Sequence, residues 1–97
     1  MIRIDQLWLC TAPMDMRAGA EAHHGYLFAN ARATRIKLLV HDGFGVWCAA
    51  RRLNAGHFAW PREAAATPLS LTKAQFDALV VGLPWQRLPE MSVITRV

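Results

Sequence analysis

Residues that build reaction centres are sparse in this 97-residue chain, and they do not cluster. The two cysteines, Cys10 and Cys48, lie far apart and outside any C-x-x-C spacing. That argues against a structural zinc site and for free, buried thiols in a reducing compartment. The seven acids, Asp5, Asp15, Glu21, Asp42, Glu63, Asp77 and Glu90, are scattered singly, with no spacing that would gather a metal-dependent nuclease site. Ser70 and Ser92 lack the flanking pattern of a nucleophile. Gly43 and Gly45 sit between two strand-like runs rather than between a strand and a helix, so they read as a turn and not as a phosphate loop. His23 and His24 are adjacent on a connector, where a histidine pair is ordinarily solvated rather than ligating. No apolar run approaches the roughly 20 residues needed to span a bilayer. The start, Met1-Ile2-Arg3-Ile4-Asp5, has no signal-peptide pattern, so a cytoplasmic protein with no membrane partner is expected. These absences leave no catalytic residue, metal ligand or cofactor to assign, and the chain reads as a non-enzyme.

What is present is a hydrophobic content of 54% and a net charge of +4. The length fits one domain, with a core over residues 6–87 and a tail over 88–97. The organising stretch is 34–61. Ile36, Leu38 and Val40 alternate with Arg35, Lys37 and Leu39, the period of a strand. Asp42-Gly43 signals a hairpin, and Gly45 allows a four-residue turn as well as a two-residue one. Both registers put Arg35, Lys37 and Arg52 on one face. They put Ile36, Leu38, Val40, Trp47, Ala49 and Leu53 on the other, the expected core face, with Arg51 at its edge. A third antiparallel strand is expected over 57–60, closed by Pro61.

Residues 6–11 read as a strand with apolar side chains on both faces, ended by Pro13. Asp15 and Arg17 read as a local turn, and residues 25–31 as another strand with Tyr26 and Phe28 on one face. Residues 62–68 read as a surface linker. A helix is expected over 71–82, with Thr72 and Gln75 as a capping box, Leu71 and Phe76 as a staple, Gly82 at its C-terminal end and Pro84 beyond. The resulting fold class is α+β, a small antiparallel β-meander sheet packed by one C-terminal helix.

The basic balance suggests an anionic partner. The candidate nucleic-acid-binding residues are Arg35, Lys37 and Arg52 on one sheet face, with Arg32, Arg51 and Arg62 nearby. Such groups would contact phosphates and give salt-dependent, weakly sequence-selective binding. Trp8, Trp47, Trp60 and Trp85 could stack on bases, although burial is the commoner use of tryptophan in a domain this small. Only one helix is secure, so no helix–turn–helix is evident.

Taken in order, several blocks resemble one family. They are Pro13-Met14-Asp15-Met16-Arg17-x-Gly19, Gly25-x-Leu27-Phe28, Arg35-Ile36-Lys37-Leu38-Leu39-x-x-Asp42-Gly43-x-Gly45, Arg52-Leu53-x-x-Gly56-x-Phe58-x-Trp60-Pro61 and Leu71-Thr72-x-x-Gln75. They resemble the second-open-reading-frame protein of the insertion-sequence-sixty-six transposons, a transposition accessory protein. The resemblance implies a setting in the transposition machinery, beside a separate transposase that does the strand chemistry, and implies no catalytic activity or cofactor. Two molecular roles stay open: binding DNA at the transposon ends, or bridging the transposase and other transposon-encoded proteins. The chain departs from the family between the first two blocks, where a helical stretch is reduced to residues 20–24. A sheet face left uncovered in this way would be covered by the C-terminal helix, the tail or a second chain, so a homodimer or domain-swapped pair is expected. The family's Lys-Arg-Leu is here Arg51-Arg52-Leu53.

Overall fold

A computed structural model describes residues 3–12, 21–64 and 67–88. The Asp15–Arg17 turn and the tail beyond Leu88 lie outside the described residues. Among those described, five strands form one sheet: β1 (Gln6–Leu9), β2 (His24–Ala29), β3 (Arg35–His41), β4 (Val46–Arg52) and β5 (Leu69–Leu71). They lie in the order β4-β3-β2-β1-β5. One helix, α1 (Lys73–Val80), follows β5, and a 3-10 turn spans Trp85–Arg87. The α+β class and the C-terminal helix are as expected. Among the described residues no helix is long and apolar enough to cross a membrane.

The central hairpin takes the longer turn. His41 pairs with Val46, so Asp42–Gly45 is the loop. Asp42 builds it: one carboxylate oxygen accepts the N–H groups of Phe44 and Gly45, both at 2.9 Å, and the other accepts the Trp47 indole N–H at 2.9 Å. Gly43 carries the positive φ, 94°, that the turn requires. Lys37 and Arg52 share one face with Arg35, as expected.

Two expectations are corrected. The sheet is mixed, because β1 runs parallel to β2 while every other pair is antiparallel. Residues 57–60 are not a third strand of the meander. After Leu53 the chain leaves the sheet and crosses the helix-side face. There Phe58 N–H donates to the Ala33 carbonyl at 2.7 Å, and the Ala59 carbonyl accepts the Trp85 indole N–H at 2.5 Å. The alternation of Phe58 and Trp60 mimics a strand. Burying Phe58 in the core, at 3% exposure, takes precedence over pairing with β4. The partner of β1 on its outer side is instead the three-residue β5, from a stretch that read as linker and helix lead-in.

The core lies between the sheet and α1. Leu9, Leu27, Ile36, Phe58, Leu71, Leu79 and Trp85 form it. The helix is set by both its ends. Thr72 Oγ1 accepts the Gln75 N–H at 3.1 Å, and Gln75 Oε1 accepts the Thr72 N–H at 2.9 Å, the reciprocal capping box. At the other end Gly82 N–H bonds the Leu79 carbonyl and Leu83 N–H bonds the Ala78 carbonyl, with Gly82 at φ 83°: a Schellman motif. Trp47 and Ala49, expected in the core, and Cys48, expected as a buried thiol, are exposed, because nothing among the described residues covers β4. Cys10 is buried, and burial pushes its thiol up to about 11.

Candidate nucleic-acid interface

Arg35 and Arg52 stand directly opposite each other on β3 and β4. Leu53 N–H donates to the Thr34 carbonyl at 3.3 Å and Asp42 N–H to the Gly45 carbonyl at 3.1 Å. These two bonds fix the phase of the ladder between them. Arg35–Arg52 is therefore a non-hydrogen-bonded pair, the kind whose side chains stand closest. Like charges in that position repel. Lys37 lies two residues along on the same face, opposite Ala50. The ion pairs among the described residues are Arg3–Asp5, Glu21–His24 and Lys73–Asp77, and none of them reaches this face's three cations.

Arg32 is placed by the turn between β2 and β3. Asn30 organises that turn: its side-chain oxygen accepts the N–H groups of Thr34 at 2.9 Å and Arg35 at 3.1 Å, and its amide donates to Thr34 Oγ1 at 3.0 Å. Ala33 takes φ 55° to close it. Arg32, Arg35 and Arg52 line one open hollow of about 670 Å³, together with Asn30 and Asn54. Arg32 also lines a second hollow of about 830 Å³, which holds Arg62, His57, Trp60 and Gln86. Arg32 thus links two basic concavities at one end of the sheet.

Arg51 does not join them. It points to the helix side, where its Nε donates to the Val80 carbonyl at 2.6 Å. A cation at the last carbonyls of a helix complements the helix dipole, so Arg51 has a structural employment.

Sequence reasoning missed Asn30, His57 and Gln86. Asn30 had a readable signal, an asparagine opening a five-residue connection between strands. The other two reach the hollow only through the crossing of 57–60. The tryptophans divide as well. Trp85 is buried, Trp60 is half-buried in the second hollow and Trp47 is 57% exposed. Trp8 donates to His24 Nδ1 at 3.0 Å, and His24 Nε2 lies 3.4 Å from a Glu21 carboxylate oxygen. That arrangement spends the histidine on structure. No three of the histidines, cysteines and acids come together as a metal cluster among the described residues.

The molecule is thus a small basic α+β domain whose conspicuous surface is cationic. Residues 20–90 match the family described as IS66 Orf2 like protein, and the chain belongs to that family. The family gives it an accessory role associated with transposition. The matched span begins after the block at 13–19. A curated relative, the uncharacterized protein y4hO of Sinorhizobium fredii, is 24% identical over 107 residues, covering 95% of this chain and 92% of its own length. No solved structure matches the chain.

Proposed function

We propose that this accessory protein acts in transposition without catalysing it, by binding DNA of the transposon ends through the basic end of the sheet. Arg35, Lys37 and Arg52 contact phosphates from the sheet face, and Arg32 and Arg62 extend the track through the two hollows. The observation that carries this reading is the directly opposed Arg35–Arg52 pair. Two like charges opposed with no carboxylate paired to them among the described residues cost stability, and a phosphate between them would remove that cost. Contacts of this kind fix position on a duplex and read little sequence. Arg51, committed to the helix end, contributes less than its neighbours. A cytoplasmic setting follows from the DNA partner.

The test is fluorescence anisotropy with a labelled transposon-end duplex across about 50 to 200 mM salt. Binding should weaken steeply with salt. The Arg35→Ala/Lys37→Ala/Arg52→Ala variant should flatten the slope of log K against log salt by about 0.9 for each phosphate it no longer neutralises. Folded protein that fails to bind at the lowest salt would overturn the reading.

A second reading is a module that bridges transposase subunits. It is favoured by the exposed apolar side chains Val81 and Leu83 just past the end of α1, which suit protein contact. It predicts transposase binding that tolerates salt and is unaffected by the triple change.

A further inference from the structure

We infer that β4 is a self-pairing edge: two copies of this chain join antiparallel through β4, about a two-fold axis at Ala49, into one continuous ten-stranded sheet. The inference is independent of the DNA reading.

The ladder phase decides which backbone groups are free. Thr34–Leu53 and Asp42–Gly45 are hydrogen-bonded positions, and such positions alternate along an antiparallel pair. Trp47, Ala49 and Arg51 therefore spend their N–H and C=O groups on β3. Val46, Cys48, Ala50 and Arg52 point theirs outward from the last strand of the sheet. β4 is as long as any described strand, is exposed at every residue and has no proline or bulge to guard its edge, and its two cations, Arg51 and Arg52, sit together at one end. A second β4 laid antiparallel with full overlap is centred on Ala49. In that register the four outward residues pair among themselves, Val46 with Arg52 and Cys48 with Ala50. Every outward group then has a partner, and no two cations are opposed across the new seam. Registers shifted by two residues leave outward groups unpaired at the ends.

The helix-side face offers a second match. Trp47 stands there 57% exposed, while small Ala49 leaves an apolar notch of about 100 Å³ between β4 and α1, lined by Leu38, Ala49, Phe76 and Val80. In the Ala49-centred register Trp47 of one copy is opposite Arg51 of the other and diagonal to its Ala49. A diagonal neighbour on a sheet face is about 7–8 Å away, within reach of an indole. With its N–H released from Asp42, the ring of each copy can cover the notch of the other and lie against its Arg51 guanidinium. Because the two-fold axis is normal to the sheet, the knob and the hole meet twice.

Light scattering of the full chain from 1 to 100 µM tests this. Wild type should become two chains as concentration rises. Trp47→Lys, a change at an exposed position, places a cation opposite Arg51 of the second copy and should raise the dissociation constant at least tenfold. Register is read by disulfide formation under mild oxidation, with Cys48→Ser as background. Ala49→Cys faces itself across the axis and should cross-link. Val46→Cys should not, since its two copies would lie about 20 Å apart, six residues along a strand. A one-chain mass at 100 µM would overturn the inference. So would a dimer indifferent to Trp47→Lys, or equal cross-linking by the two cysteine variants.

Discussion

On one flank of the sheet β1, β5 and α1 bury Leu9, Leu71 and Leu79 to 5% exposure or less; on the other, β4 carries Trp47 and Ala49 on its inner face and buries neither. The two tryptophans mark the contrast. Trp85 is 5% exposed, with its N–H on the Ala59 carbonyl, and Trp47 is 57% exposed, with its N–H on Asp42. The difference is one of coverage. An eight-residue helix is only about 12 Å long, whereas five strands at roughly 4.8 Å spacing span close to 20 Å. One short helix and one crossing segment cannot roof the whole sheet, so an alternating strand at the edge keeps its inner face in solvent.

The contrast breaks most sharply at Leu79. Leu79→Ala opens a cavity in the roofed half and should cost about 2–5 kcal/mol in urea unfolding. Next come the tryptophans. Trp85→Phe keeps a ring but leaves the Ala59 carbonyl without its donor, for about 1–3 kcal/mol, while Trp47→Phe in monomeric protein should cost under about 0.5 kcal/mol. Thr72→Ala removes the cap that holds the roof and should cost about 1 kcal/mol, seen as a lower urea midpoint. Arg52→Gln works in the other direction: by relieving Arg35 on the open half it should stabilise by a few tenths of a kcal/mol at low salt, with the gain fading as salt is added. The smallest test is chemical. At pH 8 Cys48 should react with a thiol reagent in the native state. Cys10, whose burial keeps it protonated until about pH 11, should react only on unfolding.

Much of this was legible in the residues. Asp42-Gly43 and the alternation of 35–41 announced the hairpin, and the Thr72–Gln75 box and Gly82 announced both ends of the helix. These are local signals, set by a few neighbouring backbone groups. What could not be read was long-range. Phe58 and Trp60 alternate as strand residues do, and only the core that Phe58 shares with Trp85 shows that their segment serves as a roof. β5 is three residues long and exists because β1 has an open edge. Trp47 carries the pattern of a core residue, and its exposure depends on where α1 stops. The basic site follows the same division. Arg35, Lys37 and Arg52 were placed correctly by strand period, whereas the diversion of Arg51 to Val80 and the linking position of Arg32 needed the tertiary fold.

The parallel pairing of β1 with β2 also bears on how this chain can change in length. A parallel neighbour must be reached by carrying the backbone from one end of the sheet to the other, and a dozen or so residues is the shortest span that does so. Residues 10–23 barely exceed that minimum. Added length there should be well tolerated, since loop closure costs only about 0.6 kcal/mol per doubling. Further trimming should not be, because β1 would lose its place between β2 and β5. The crossover is thus a one-way valve for variation: relatives can grow at this point, while a copy as lean as this one has reached the floor.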